Sequence, residues 1–232
     1  LFAANLPTQI RIAAWRGLVL SEPSRRVALM TKALAGTDRL TLRAALKLIR
    51  ELGDEAVIKA CLKQWAELPA DSQVAVLDAS LKLGAKALPA IRAAAGSAHL
   101  GVRVAAWQAL AGLEDSSMLA ALAQAAAQGA PAERDAARDA LTQLRGPGAD
   151  QAILKQISEA APPVKAVLLR ALGERSERSA TAVLLKYAGN TDEAVRLAAL
   201  ESLKQLAVAD TLTPLLDLAS QHMRKGGAGN QY

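Results

Sequence analysis

Aromatic residues are scarce in this 232-residue chain, with one Phe, two Tyr and three Trp making up 3% of it. A sheet-based core leans on aromatic and β-branched side chains, so their scarcity beside abundant Ala and Leu favours helices packed closely through small side chains. Cysteine is nearly missing too. Cys61 alone forms no internal disulfide and builds no thiolate metal site, and within Ala60-Cys61-Leu62 it reads as a small core residue. Histidine is limited to His99 and His222, far apart in the chain, which excludes a metal cluster assembled with Cys61 at ligand spacing. No apolar run reaches the ~18 residues that a membrane helix needs. A basic segment followed by an apolar one is also missing from the start, so no export signal is visible, and a chain opening at Leu1 reads as a processed product or a piece of something longer.

What is present is apolar material: 52% of residues are hydrophobic, ample for a core. The formal charge of +6 and a pI near 9.7 permit attraction to nucleic acid or an anionic membrane. Acidic residues are interspersed with basic ones, however, which predicts a mixed, solvated surface.

The stretch Val102-Arg103-Val104-Ala105-Ala106-Trp107-Gln108-Ala109-Leu110 returns near the end as Val195-Arg196-Leu197-Ala198-Ala199-Leu200-Glu201-Ser202-Leu203. With the last leucine as marker, equivalents stand at Leu18, Ile49, Leu81, Leu110, Leu141, Leu172 and Leu203, at intervals of 31, 32, 29, 31, 31 and 31. A period of this size is the mark of stacked supersecondary units. Val102, Ala105, Ala106, Ala109 and Leu110 share one face of a helix, here helix A. A second apolar segment, helix B, follows each break, at 27–34, 57–65, 88–95, 118–127, 153–157, 181–187 and 212–219. Breaks such as Gly146-Pro147-Gly148 and Gly189-Asn190-Thr191-Asp192 stop one helix and start the next, with Asp192 as an N-cap and Glu193 in the first turn. The expectation is an all-α, right-handed α-solenoid of about seven helical hairpins, a single domain over residues 1–225 followed by a flexible tail at 226–232.

Hairpins led by Asp-Glu-Ala-Val-Arg-Leu-Ala-Ala-Leu at 192–200 resemble HEAT repeats, particularly the short bacterial type also found in bilin lyases, over roughly residues 8–225. The resemblance implies a ladder in which a basic residue early in helix A meets acidic residues of adjacent repeats. That position holds Arg11, Leu42, Val74, Arg103, Arg134, Lys165 and Arg196, so the second and third units depart from the pattern. The segment 97–161 is also similar to the HEAT portions of large exported bacterial proteins, which adjoin a 3-keto-glycoside hydrolase or a cytochrome c domain. That likeness implies a scaffold within a longer, exported or periplasmic polypeptide and lends no catalytic residue or cofactor.

Ser97 and His99 sit in an inter-repeat loop where a nucleophile and base would need a third orienting group. Gly146-Pro147-Gly148 lacks the Lys-Ser/Thr of a phosphate loop and is a turn. HEAT-like alkylpurine DNA glycosylases line their groove with aromatics, which makes the tryptophans candidates. Trp15 and Trp107 fall at one helix-A position and cover the edge of the core, whereas Trp65 on helix B can reach the other face. Lys155 and Lys186 share one helix-B position, with Gln124 before and Asp217 after them, so no continuous basic lane of the kind a nucleic-acid backbone requires is expected. The expected function is a non-enzymatic protein-interaction scaffold that holds a partner or a neighbouring domain on a concave helix-B face, through Trp65, Lys155 and Lys186. The alternatives are a nucleic-acid-binding protein of the glycosylase type and an accessory segment of an exported carbohydrate-active protein. Nucleic acid and membrane are not expected partners, and no cofactor is expected.

Overall fold

A computed structural model describes residues 7–113, 116–145, 148–176 and 178–206, together with positions 213, 216 and 220. Among the described residues there are thirteen α-helices and no strand. The helix-A elements are α1 (Thr8–Ser21), α3 (Arg39–Leu52), α5 (Ala70–Leu81), α7 (Leu100–Ala111), α9 (Pro131–Gln143), α11 (Pro162–Glu174) and α13 (Glu193–Gln205). The helix-B elements are α2 (Pro23–Ala35), α4 (Glu55–Lys63), α6 (Leu88–Ala95), α8 (Leu119–Gln128), α10 (Ala149–Glu159) and α12 (Thr181–Ala188). Most of the seventh helix B, the tail, His222 and most of the Gly146-Pro147-Gly148 turn lie outside the described residues.

Local chemistry sets the helix ends. Asp38 caps α3 by accepting from the backbone N–H groups of Leu40 and Thr41, Asp54 caps α4 through Ala56 and Val57, and Asp192 caps α13 through Val195. Pro23, Pro131 and Pro162 open α2, α9 and α11, at positions where a missing N–H costs nothing. Gly53 ends α3 at φ +57°, in the left-handed region that closes helices.

Two compact units divide the chain, Leu1–Leu113 with α1–α7 and Glu114–Tyr232 with α8–α13. In the first, α1, α3, α5 and α7 pack in succession and α2 lies against α4; in the second, α9, α11 and α13 do so and α8 lies against α10. The buried face of helix A recurs at four positions, such as Val102, Ala106, Ala109 and Leu110, or Val195, Ala199, Ser202 and Leu203. Two markers shift by one residue. In α1 the fully buried residue is Val19 and not Leu18, and in α5 it is Ser80, while Leu81 is 37% exposed. The intervals then become 30, 31, 30, 31, 31 and 31. Ser80 can fill a core position because its Oγ donates to Leu77 O at 2.6 Å, leaving no unsatisfied hydroxyl.

Between α11 and α13 the approach is close. A Cβ on Gly173 would come within 2.6 Å of the Ser202 Cβ, and Ser202 Oγ reaches back to Leu169 O at 2.9 Å. Small residues therefore set the distance between hairpins here, as the alanine-rich pattern implies.

Candidate functional site

The early helix-A position does a local job in the hairpins where its bonds are described. Arg103 Nη1 donates to Ser97 O at 2.9 Å and Ala98 O at 3.2 Å, and Arg196 Nη1 donates to Asn190 O at 2.9 Å and Thr191 O at 3.3 Å. Both loops carry the same turn, in which the backbone N–H of His99 or Asp192 donates to Ser97 Oγ or Asn190 Oδ1. With the register corrected, the first hairpin places Ile12 here, one residue after Arg11, and the third places Gln73, whose Nε2 donates to Trp65 O at 2.9 Å. Lys165 instead lies over the Tyr187 ring, 5.1 Å from its centroid, with Lys186 at 5.7 Å, so two of the sequence-derived candidates meet at one aromatic. Arg11 and Arg134 each bury an Nε that has no hydrogen-bond partner among the described residues.

Ion pairs between adjacent hairpins sit later, around the end of helix A. Arg16 pairs with Glu51 at 2.9 Å, Arg50 with Asp78 at 3.0 Å and Arg170 with Glu201 at 2.9 Å, while Thr142 Oγ1 donates to Glu174 at 2.8 Å. These side chains are about half exposed, so each pair contributes ~0–1 kcal/mol and mainly sets register. Arg175 is different: its side chain is 12% exposed, bonds Asp150 at 2.6 Å, and donates to the carbonyls of Leu141, Thr142 and Leu144 at the end of α9. Lys82 does the same for α3, donating to Arg50 O and Glu51 O. The signal available in the sequence was a basic residue two or three places past the marker, where a cation complements the carbonyls ending the preceding helix A.

Arg26 joins α2 to Asp54 at 3.0 Å. Burial pushes the Asp54 carboxyl up, but the Arg26 hydrogen bond and the N–H groups of Val57 and Ala56 outweigh it and leave its pKa lowered.

Trp65 lies beyond α4, on the short 3₁₀ turn Trp65–Glu67, half-buried against the core of the first unit, and its buried Nε1 has no hydrogen-bond partner among the described residues. Trp15 and Trp107 are buried at 6% and 3% exposure. They are not equivalent: Trp15 stands four residues before Val19, in the core row with Ala106, and Trp107 three before Leu110. Cys61 is fully buried, and burial pushes its thiol up to about 11, well away from a reactive thiolate. Ser97 Oγ donates to Gln73 Oε1 at 2.8 Å, so that hydroxyl braces a loop. Among the described residues no group of three or more His, Cys, Asp or Glu could hold a metal ion, and no helix is long and apolar enough to cross a membrane.

Helix B carries a pattern that the sequence reading missed. Each described helix B has a buried anchor, then an exposed residue two places on, then a further buried one: Met30–Lys32–Leu34, Val57–Lys59–Cys61, Ala90–Arg92–Ala94, Leu122–Gln124–Ala126, Ile153–Lys155–Ile157 and Leu184–Lys186–Ala188. In the first unit all three exposed residues are cations, a cluster the sequence analysis does not single out, while Gln124 stands at the same position in the second. The lane escaped notice because its residues are separated by 27 and 33 positions in the first unit, against 31 and 31 in the second. Beside Lys32 a pocket of about 410 Å³ is lined by Trp15, Leu29, Ala33, Asp38 and Thr41.

The HEAT repeats family matches residues 151–224. No curated protein matches the chain. Among solved structures, human deoxyhypusine hydroxylase in complex with glycerol is similar over 88% of this chain and 81% of that one, at 19% identity and a TM-score of 0.39. The thirteen helices and the match at 151–224 make this an all-α protein of stacked HEAT-like hairpins, with the family match itself falling in the second unit.

Proposed function

We propose that the chain is a non-enzymatic interaction scaffold that holds a partner protein, or a neighbouring domain of a longer polypeptide, on its helix-B side. HEAT repeats are protein-interaction modules. The observation that carries the reading is the helix-B row, in which every described hairpin presents one solvent-facing side chain between two buried anchors. Within each unit such a row offers a partner one contact per hairpin on a backbone held by the core, an arrangement suited to recognition. The chemistry of Cys61 and Ser97 supports a binding role over a catalytic one, since burial holds the thiol protonated and the hydroxyl is committed to Gln73.

A photoreactive residue placed at Gln124, Lys155 or Lys186 should cross-link to one protein identifiable by mass spectrometry. The same residue at Asp135 or Asp139, exposed on α9, should not. Cross-links confined to α9, or a duplex-DNA affinity tighter than micromolar at 150 mM salt with a steep salt slope, would overturn the scaffold reading in favour of a different surface or a nucleic-acid role.

A further inference from the structure

Lys32, Lys59 and Arg92 occupy one position on three successive B helices of the first unit, and Lys32 and Arg92 form no ion pair among the described residues. Lys59 meets Glu55 at 2.8 Å, and Lys86 meets the same carboxylate at 3.0 Å, so one acid is shared by two cations. Helices α2, α4 and α6 together carry Arg25, Arg26, Lys32, Lys59, Lys63 and Arg92; Arg25 pairs with Glu22 and Arg26 with Asp54, so the cations left in excess on these helices are Lys32, Lys63 and Arg92.

We infer that the row Lys32–Lys59–Arg92 is a docking lane for an acidic, extended polypeptide segment of the partner. This rests on the scaffold reading and names the partner's chemistry. α2 packs on α4, and packed helices lie about 8–10 Å apart, so Lys32 and Lys59 recur at roughly that spacing. A segment in the extended polyproline-II form rises about 3.1 Å per residue with three residues per turn, which brings every third side chain back to the lane after about 9 Å. Nucleic acid fits the lane less well. Duplex DNA carries a charge about every 1.7 Å, far denser than this row, and single strands call for exposed aromatic platforms, whereas in this unit Trp15 and Trp107 are buried and Trp65 is packed half-buried against the core. The pocket beside Lys32, walled by Trp15 and Leu29 and bordered by Asp38, whose carboxylate is engaged in capping α3, gives an apolar side chain of the segment a place to anchor.

The test uses the full chain and a fluorescent 18-residue peptide with Glu at every third position, spaced by Ser and Ala. Anisotropy at 50 mM salt should show saturable binding, and K32E, K59E and R92E should each weaken it by about fivefold or more. R43E and K47E, which change net charge equally on exposed sites of α3, should leave it within twofold. All five positions are exposed, and circular dichroism melts confirm folding. Equal losses from the α3 variants would reduce the lane to net charge, no peptide binding would remove it, and tighter binding of a 20-nucleotide oligo-dT would replace it with a nucleic-acid surface. Cross-linking through Gln124, Lys155 and Lys186 that persists when the peptide fails to bind would sink this inference and leave the scaffold reading standing.

Discussion

The first compact unit, Leu1–Leu113, holds 15 basic and 8 acidic residues, a formal +7, while the second, Glu114–Tyr232, holds 13 and 14, a formal −1. The excess cations of the chain therefore belong to one unit. The two also differ in regularity. Both displaced helix-A markers, Val19 and Ser80, fall in the first unit, whereas the second keeps Leu141, Leu172 and Leu203 at intervals of 31 and contains the family match. A strict repeat is thus easiest to recognise where stacking alone dictates the residues. The unit that departs from it carries the charged lane.

If marker burial separates the units, Leu172→Ala should cost about 2–5 kcal/mol by opening a cavity, and Leu81→Ala only about 0.5 kcal/mol at its exposed site. Urea unfolding of both variants measures this, and equal costs would restore the uncorrected register. Next in size is close packing. Gly173→Ala should destabilise by about 1–3 kcal/mol, because the new methyl meets Ser202. Gly17→Ala adds a methyl to open space on a helix and should stabilise by roughly 0.5–1 kcal/mol. Thermal melts moving in the same direction would mean that the two units pack helix A alike.

Polar links should rank by burial. Arg175→Met, which abandons Asp150 and three carbonyls, should cost about 1–3 kcal/mol. Arg16→Met should cost under about 1 kcal/mol at its exposed pair. The smallest effect concerns pH. The Asp54 carboxyl is lowered in the folded chain, so its contribution is present above the unfolded value of about 3.9 and fades as pH falls through the lower folded value. Its partial exposure keeps this modest. Asp54→Asn should flatten that part of the acid limb in a pH series of melts, and an unchanged limb would discount the Arg26 link.

Much of the fold was legible because helix periodicity and capping are local. Asp192 as the cap of α13 and the hairpin breaks follow from residue types within one turn. The register of α5 was not legible: Leu81 outranks Ser80 on hydrophobicity, and only the hydroxyl's bond to Leu77 O makes the serine a core residue. Trp65 was placed on helix B, yet α4 ends at Lys63 and the indole sits on a separate turn. Trp15 and Trp107 seemed equivalent by count and differ by one place once the true markers are used. The lane of Lys32, Lys59 and Arg92 was hidden by unequal loop lengths, which break a fixed-period alignment while leaving each side chain at the same place on its helix.

The sequence by itself determined an all-α chain of hairpins, because alanine and leucine spaced at the helical period can bury their faces only by stacking on one another. Only the tertiary structure decided which cations share a face. Arg103 and Arg196 were turned inward onto loop carbonyls by the start of their helices, Arg175 onto the end of the preceding helix A, and Lys32, Lys59 and Arg92 outward into solvent. Their common position is fixed by which neighbours are buried, a quantity that no residue carries alone.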